Sequence, residues 1–206
     1  MTSSGSVTHW IQLLQAGEDA AAIQKGEVKA ESAKEQLELA ELCRMYKRHY
    51  TAAVTFYAGA FADPKAGKDL EKPWRYQAAS CAARAAAGQG KDAVPLDDPA
   101  CLRLRRQALA WLQADLVLYE KATQSDDFAK DANDMIAALF NLGRWQQDPD
   151  LASVREDKQL ERLPTEEQQA WRKLWRSGGH AQEGASLLPR KHTPGHPDRP
   201  EARGDA

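Results

Sequence analysis

The chain has 206 residues, of which 42% are hydrophobic, and a formal net charge of −2 with a pI near 6.2. This length fits one domain with tails and is sufficient for a buried core. The small net charge provides no overall field that would attract nucleic acid, and no apolar run reaches the length of a membrane span.

The start of the chain predicts one short amphipathic helix over residues 6–15. Four apolar residues recur there at the spacing of one helix face: Val7, Trp10, Ile11 and Leu14. A stretch rich in Ala, Glu and Lys follows, and we assign residues 1–32 to this helix and a linker. The first five residues lack the basic flank and apolar core of a signal peptide, so a cytoplasmic location is expected.

Two helices are predicted next, over residues 33–46 and 50–62. In the second helix, small and aromatic residues are spaced as in the second helix of a tetratricopeptide repeat: Ala53, Phe56, Tyr57, Ala60 and Phe61. Asp63 and Pro64 close it, as that repeat usually closes. Glu41 stands where the first helix of such a repeat usually carries a small residue. The resemblance implies helical hairpins that stack side by side.

An Ala-rich helix is predicted from Trp74 to Ala87, ended by the glycines of a Gly88-Gln-Gly90-Lys91 run. A phosphate-binding loop needs a longer glycine pattern after a strand. We therefore interpret the run as a helix C-cap and loop.

The longest predicted helix spans Asp98 to Thr123, with Asp98 as its cap and Pro99 in its first turn. Its apolar residues cover two sides: Leu102, Leu109, Leu112, Leu116 and Tyr119 on one, with Ala108, Trp111, Leu118 and Ala122 extending to the other. One neighbour could not cover both sides. We expect this helix to lie between two helical layers, with Trp111 buried.

A further helix is predicted from Phe128 to Gln146, and Pro149 stops it. Leu151 and Val154 are expected to fold back onto it. The last helix is predicted to begin with a capping box formed by Thr165 and Gln168, and to end at Gly178-Gly179. Residues 177–206 are rich in Gly, Pro, His and charge, which predicts a disordered tail.

Residues 37–175 resemble the tetratricopeptide-type segment that lies C-terminal to the kinase domain in a group of bacterial serine/threonine protein kinases. Five runs carry the resemblance: LAELCRMYKRHYTAAVTFYAGAFADP, RYQAASCAARAAAGQG, LRRQALAWLQADL, WQQDPDLASVR and LPTEEQQAWRKLW. The sequence has no glycine-rich loop with a lysine strand, no HRD and no DFG, so the kinase domain is absent. The resemblance predicts a helical domain over residues 33–176.

Residues 5–23, GSVTHWIQLLQAGEDAAAI, resemble the start of bacterial extracytoplasmic-function sigma factors. The promoter-reading helices of that family do not follow. This resemblance implies, as an alternative function, a truncated sigma-like regulator that contacts RNA polymerase through its first helix.

Reactive residues do not converge in the sequence. The three cysteines, Cys43, Cys81 and Cys101, are widely spaced and predicted to be buried apolar residues. His180, His192 and His196 are interpreted as solvated tail residues rather than metal ligands. We therefore expect no catalytic activity, no cofactor and no metal site.

The sequence predicts an all-α fold of stacked antiparallel helical hairpins, either a tetratricopeptide-like solenoid or a bundle. Its expected role is a scaffold for a protein or peptide partner; nucleic acid and membrane are not expected partners. If the repeat register holds, one face of the helix at residues 33–46 lines the partner groove, through Glu35, Glu38, Leu39, Leu42, Met45 and Tyr46. The alternative is that the leucines and Met45 belong to the core while the glutamates face water.

Overall fold

The computed structural model describes residues 30, 32–70, 72–93, 95, 97–124 and 128–186. Within these ranges the chain is all-α, with eight α-helices and no strand, which confirms the predicted fold class. The helices are α1 (Ala33–Leu42), α2 (Tyr50–Ala60), α3 (Trp74–Ala86), α4 (Asp98–Thr123), α5 (Phe128–Gln147), α6 (Ala152–Arg155), α7 (Asp157–Leu160) and α8 (Thr165–Ser186). A π-helical turn, Cys43–Lys47, follows α1, and a 3₁₀ turn, Pro149–Leu151, precedes α6. The predicted helix at residues 6–15 and the sigma-like start lie outside the described residues.

The helices stack in chain order. Each helix from α1 to α4 packs on the next one along the chain, and α8 returns to pack on both α4 and α5. Aromatic contacts also join alternate helices. Tyr76 of α3 stacks on Trp145 of α5 with ring centroids 6.4 Å apart, and Phe61, just after α2, makes a T-shaped contact with Trp111 of α4 with centroids 5.5 Å apart. These contacts place α3 and α5 in one layer and α2 and α4 in the other. Helix α1 adjoins α3 in the first layer, because the Tyr57 hydroxyl bonds to both Glu41 of α1 and Gln77 of α3.

Helix α4 is the centre of the stack and has the bounds predicted for it. It packs against α3, α5 and α8, so more than one of its sides is covered, as predicted, but it belongs to one of the two layers instead of lying between them. Ala108 and Leu112 are fully buried, and Trp111 is 9% exposed. Leu151 and Val154 are fully buried, but the 3₁₀ turn and α6 that carry them pack mainly on α3, not on α5 as predicted.

Some helices are capped by residues next to them in sequence. Asp97 accepts a hydrogen bond from the backbone N–H of Ala100 at 2.8 Å, so Asp97, not the predicted Asp98, caps α4. Ser32 accepts one from Glu35 at the start of α1. These short polar side chains satisfy N–H groups that the first turn of a helix leaves without partners.

Helix α2 is capped by a residue from a distant loop. His49, which precedes α2, makes no side-chain capping bond, and Asp92 instead accepts a hydrogen bond from the N–H of Ala52 at 2.9 Å. The loop that carries Asp92 follows the predicted C-cap of α3, where Gly88 has a φ of 70° and Gln89 donates to the carbonyl of Arg84. The C-capping interpretation of the glycine run is therefore confirmed.

The last helix differs from its prediction at both ends. It continues through Gly178 and Gly179 to Ser186, so the predicted end and the start of the disordered tail were placed too early. At its start, the amide of Gln168 donates to the carbonyl of Leu163 at 2.8 Å instead of returning to Thr165, so the capping box is wrong. The rest of the predicted tail, residues 187–206, lies outside the described residues.

The cysteines follow their prediction in part. Cys43 and Cys81 are buried, whereas Cys101 is only half-buried on α4. Burial raises the pKa of Cys43 to about 12 and also raises that of Cys81, so both thiols stay protonated at neutral pH.

Candidate functional site

A cavity of about 350 Å³ opens on the layer formed by α1, α3 and α5. It lies where these helices run side by side, with the turn after α5 closing one end. Its lining is polar and comes from the π-helical turn after α1, from α3, from α5 and from the turn that follows α5: Arg44, Tyr76, Gln77, Ser80, Arg144, Gln147, Asp148 and Asp150. We call this cavity the layer groove.

One wall of the layer groove is built around Tyr76. Its phenol donates a hydrogen bond to the Asp148 carboxylate, which also accepts from the backbone N–H of Asp150 at 2.8 Å. The Arg144 guanidinium lies 5.1 Å from the Tyr76 ring centroid and 5.8 Å from that of Phe140. Burial, and then the bond to Asp148, raise the pKa of Tyr76 above its ordinary value. This tyrosine therefore serves as a protonated donor and as a platform for the arginine.

Arg44 forms the opposite side of the layer groove, at the end of α1. Its guanidinium donates two hydrogen bonds to the Glu41 carboxylate, at 2.8 and 2.9 Å, and the Tyr57 hydroxyl donates to Glu41 at 2.6 Å. Burial acts to lower the pKa of Arg44, but the hydrogen bonds and the charge of Glu41 more than offset this effect. The pKa therefore lies above its ordinary value, and the guanidinium stays charged. The glutamate that departs from the repeat pattern thus holds Arg44 at the groove.

Asp150, at the end of the lining, is also paired within the protein. The Arg84 guanidinium lies 2.8 Å from its carboxylate and stacks over the Tyr50 ring at 4.2 Å. This pair connects α3 to the 3₁₀ turn. It leaves the carboxylate with little capacity to attract a cation.

The residues predicted to line a groove on α1 do not line this one. Leu39 is fully buried and Leu42 packs against the core, whereas Met45 and Tyr46 are 59% and 77% exposed. Glu38 is exposed, with its carboxylate 3.8 Å from Lys34, and Glu35 lies in the first turn of α1. The π-helical turn explains part of the difference, because an i→i+5 turn rotates later side chains away from their α-helical positions.

A second polar cluster lies in the interior, centred on Asp115 of α4. Its carboxylate accepts from the Arg75 guanidinium and the Tyr119 hydroxyl, each at 3.4 Å, and from the backbone N–H of Tyr76. Pro73 offers α3 no side-chain cap, so Asp115 supplies one from the neighbouring helix. Burial raises the pKa of Asp115 to about 7, although Arg75 acts to lower it.

Sequence reasoning missed both polar sites. One signal was present for the interior cluster: Asp115 stands next to Leu116 and three residues after Leu112, on an otherwise apolar side of α4. A charged residue at such a position is buried only when it is paired or hydrogen-bonded. The layer groove had no comparable local signal, because its residues come from separate helices.

The described ranges contain no cluster of three or more His, Cys, Asp or Glu side chains that could hold a metal ion. No helix in them is both long enough and apolar enough to cross a membrane. His180 is exposed on α8, and the other two predicted tail histidines, His192 and His196, lie outside the described residues.

Comparison of this chain with protein-family models, with curated proteins and with solved structures found no match. The resemblances to a kinase-associated repeat segment and to the start of sigma factors therefore stay predictions.

Proposed function

We propose that this chain is a non-catalytic scaffold that binds a protein or peptide partner through the layer groove. The observation that carries the proposal is the origin of the lining, because the π-helical turn after α1, helix α3 and helix α5 each contribute polar side chains to one open cavity. Stacked helical hairpins bind partners on surfaces formed in this way. The runs that resemble kinase-associated repeats support a role in a bacterial signalling pathway linked to serine/threonine kinases.

The titratable groups near the layer groove favour binding over catalysis. A catalytic nucleophile or base needs a pKa that makes its reactive form available near neutral pH. Burial raises the pKa values of Tyr76 and of the buried thiol of Cys81, which leaves both groups protonated. Arg44 and Asp150 are held in ion pairs. These groups are suited to hydrogen bonding and charge recognition.

The proposal is tested by blocking the groove in the full chain. Gln147 is exposed at the groove edge, and Gln113 is exposed on α4, outside the groove lining. We expect Gln147→Trp to abolish recovery of a partner in a quantitative pull-down from bacterial lysate, and Gln113→Trp to leave recovery unchanged. Equal recovery of the partner by the wild-type chain, Gln147→Trp and Gln113→Trp would show that the groove is not the binding surface.

The alternative function is a sigma-like regulator that contacts RNA polymerase, and residues 5–23 favour it by their resemblance. It requires the apolar face that the sequence predicts around Trp10. We expect Trp10→Asp in the full chain to leave partner recovery intact if the scaffold proposal is correct. Loss of RNA polymerase subunits from the pull-down with this variant, together with no effect of Gln147→Trp, would establish the alternative instead.

A further inference from the structure

Most charged groups around the layer groove already have partners within the protein. Arg44 is paired with Glu41, and Asp150 is paired with Arg84. Asp148 accepts hydrogen bonds from Tyr76 and from the backbone. These groups form the frame of the groove and have little remaining capacity for a ligand.

Two hydrogen-bond donors in the lining are not used in this way. Arg144 has no carboxylate within ion-pair distance in the described part of the chain, and its guanidinium lies over the Tyr76 and Phe140 rings. Ser80 is 5% exposed, and its hydroxyl has no hydrogen-bond partner. A buried hydroxyl without a partner costs stability, and a ligand with an acceptor oxygen would remove that cost.

The two donors line the same cavity, and Tyr76 connects them. Ser80 follows Tyr76 by one helical turn, so both side chains lie on one face of α3. The guanidinium of Arg144 lies over the Tyr76 ring, 5.1 Å from its centroid. An acceptor group placed beside Tyr76 can therefore meet a cation from α5 and a hydroxyl from α3.

We propose that Arg144 and Ser80 bind the carboxylate of an internal Asp or Glu side chain in a partner peptide. This inference rests on the proposed scaffold function and names the chemistry that the groove recognises. A carboxylate fits because the unused groups are donors, one of which is a cation that can form charge-assisted hydrogen bonds. A phosphate dianion fits less well, because Asp148 and Asp150 line the same cavity.

The surface beside Arg144 adds a second requirement for the peptide. Phe140, one turn before Arg144 on α5, is 65% exposed, and Ile136, a further turn away, is 63% exposed. An apolar residue next to the acidic one would cover this pair. The side-chain amides of Gln77 and Gln147 line the groove and can bond to the peptide backbone. The expected ligand is an extended segment in which an acidic residue neighbours an apolar one.

Selection from a library of short random peptides displayed on phage, with the full chain as the target, tests this inference. We expect the enriched sequences to share an Asp or Glu beside an apolar residue. A selected peptide, capped at both ends, is then synthesised with its acidic residue, with the matching amide and with phosphoserine at that position. Fluorescence polarisation gives the dissociation constant of each form.

The variants assign the contacts. Changing the acidic residue to its amide, or Arg144→Gln in the chain, should each weaken binding about ten- to a hundredfold. The two changes together should weaken it no more than either alone, because they remove the same contact. Arg106→Gln, at an exposed position on α4 outside the lining, is the matched control and should leave binding unchanged.

Ser80→Ala separates recognition from packing. It removes a buried hydroxyl that has no partner in the free protein, so stability should be unchanged or higher while peptide binding weakens severalfold. A variant that loses stability and binds as the wild type does would show that the hydroxyl serves the fold alone.

Several results would overturn the inference. One is that the enriched peptides lack an acidic residue. Another is that Arg144→Gln binds the selected peptide as tightly as the wild-type chain does. The third is that the phosphoserine peptide binds more tightly than the peptide with the acidic residue. If such peptides still lose binding with Gln147→Trp, the scaffold function stands and only the assignment of a carboxylate fails. If no peptide is enriched, the assignment fails as well, and the pull-down with Gln147→Trp then decides the scaffold function separately.

Discussion

At the scale of single residues, Asp115 makes the stability of the fold depend on pH. Its pKa is raised from 3.8 to about 7, so the folded state holds the Asp115 proton more tightly than the unfolded state does. The free energy of unfolding should therefore fall as pH rises from about 4 to about 7. The stabilisation from this group is complete below the unfolded pKa and is lost as pH passes the folded one.

Asp115→Asn tests this effect because the amide keeps the shape and cannot ionise. The free energy of unfolding of the variant, relative to the wild type, should rise by a few kcal/mol over that pH interval, since one pKa unit corresponds to about 1.4 kcal/mol. Urea denaturation at several pH values measures it. Asp134→Asn, at an exposed position on α5, is the control. A difference that does not change with pH would show that Asp115 remains ionised throughout.

Trp111 is the residue that reports whether α4 is packed on both sides. It is 9% exposed, and its ring packs in a T-shaped contact with Phe61 from the region after α2. Trp111→Ala should lower the free energy of unfolding by about 3–5 kcal/mol, through lost burial and the cavity left behind. Val117→Ala on the same helix should cost about 0.5 kcal/mol or less, because Val117 is 65% exposed. Similar losses in chemical denaturation would contradict the two-sided packing of α4.

At the scale of elements, two glycines inside α8 behave differently from those that end α3. Gly179 lies within a helix, and a Cβ built on it meets nothing within 4 Å. Gly178 is buried against Leu142 and Gln146 of α5, with contacts of 3.9 and 3.7 Å for an added Cβ. A small residue at this position lets α8 approach α5 closely.

Gly179→Ala should therefore stabilise the protein by about 0.5–1 kcal/mol, because alanine loses less backbone freedom in a helix. Gly88→Ala is a matched comparison, since its Cβ also meets nothing within 4 Å but its φ is +70°. That change should destabilise the protein by roughly 1 kcal/mol. Thermal unfolding followed by circular dichroism measures both. If Gly179→Ala destabilised the protein instead, the result would support the sequence prediction that the helix ends at that glycine.

Sequence patterns predicted the bounds and caps of a helix well where residues close in sequence determine them, and poorly where tertiary contacts determine them. The bounds of α4 follow from its periodicity and from Pro99, which act within a few residues. The continuation of α8 past Gly178 depends on packing against α5, which one helix sequence does not show. The caps that Asp92 and Asp115 give to α2 and α3 are tertiary in the same way.

The layer groove could not be predicted from the sequence, for a related reason. Its unused donors, Ser80 and Arg144, lie in different helices. The sequence around each residue does not indicate whether its side chain has a hydrogen-bond or ion-pair partner. The predicted groove on α1 used apolar and acidic residues whose exposure depends on the following π-helical turn. Leu39 could be assigned to the core only after its neighbours in α2 were known.

At the scale of the whole molecule, the contacts favour a stack whose parts can open separately. Buried residues from Leu39 to Leu174 form one continuous core, but the main helix contacts join only neighbours in the stack. Stability in such an array is close to a sum of units and their interfaces. The far end is closed by Glu167 of α8, which is 7% exposed and receives two hydrogen bonds from Arg105 of α4.

Breaking this pair should open one end of the stack and leave the other closed. Glu167→Gln leaves the Arg105 guanidinium without its charged partner in a largely buried site, so the free energy of unfolding should fall by about 3–5 kcal/mol. The double variant Arg105→Met and Glu167→Leu should cost much less, because no charge is left unpaired. Hydrogen exchange should show protection lost in α8 while α1 and α2 keep theirs. Equal loss in all helices would instead mean that the molecule opens as one cooperative unit, in which binding at the layer groove would be coupled to every helix.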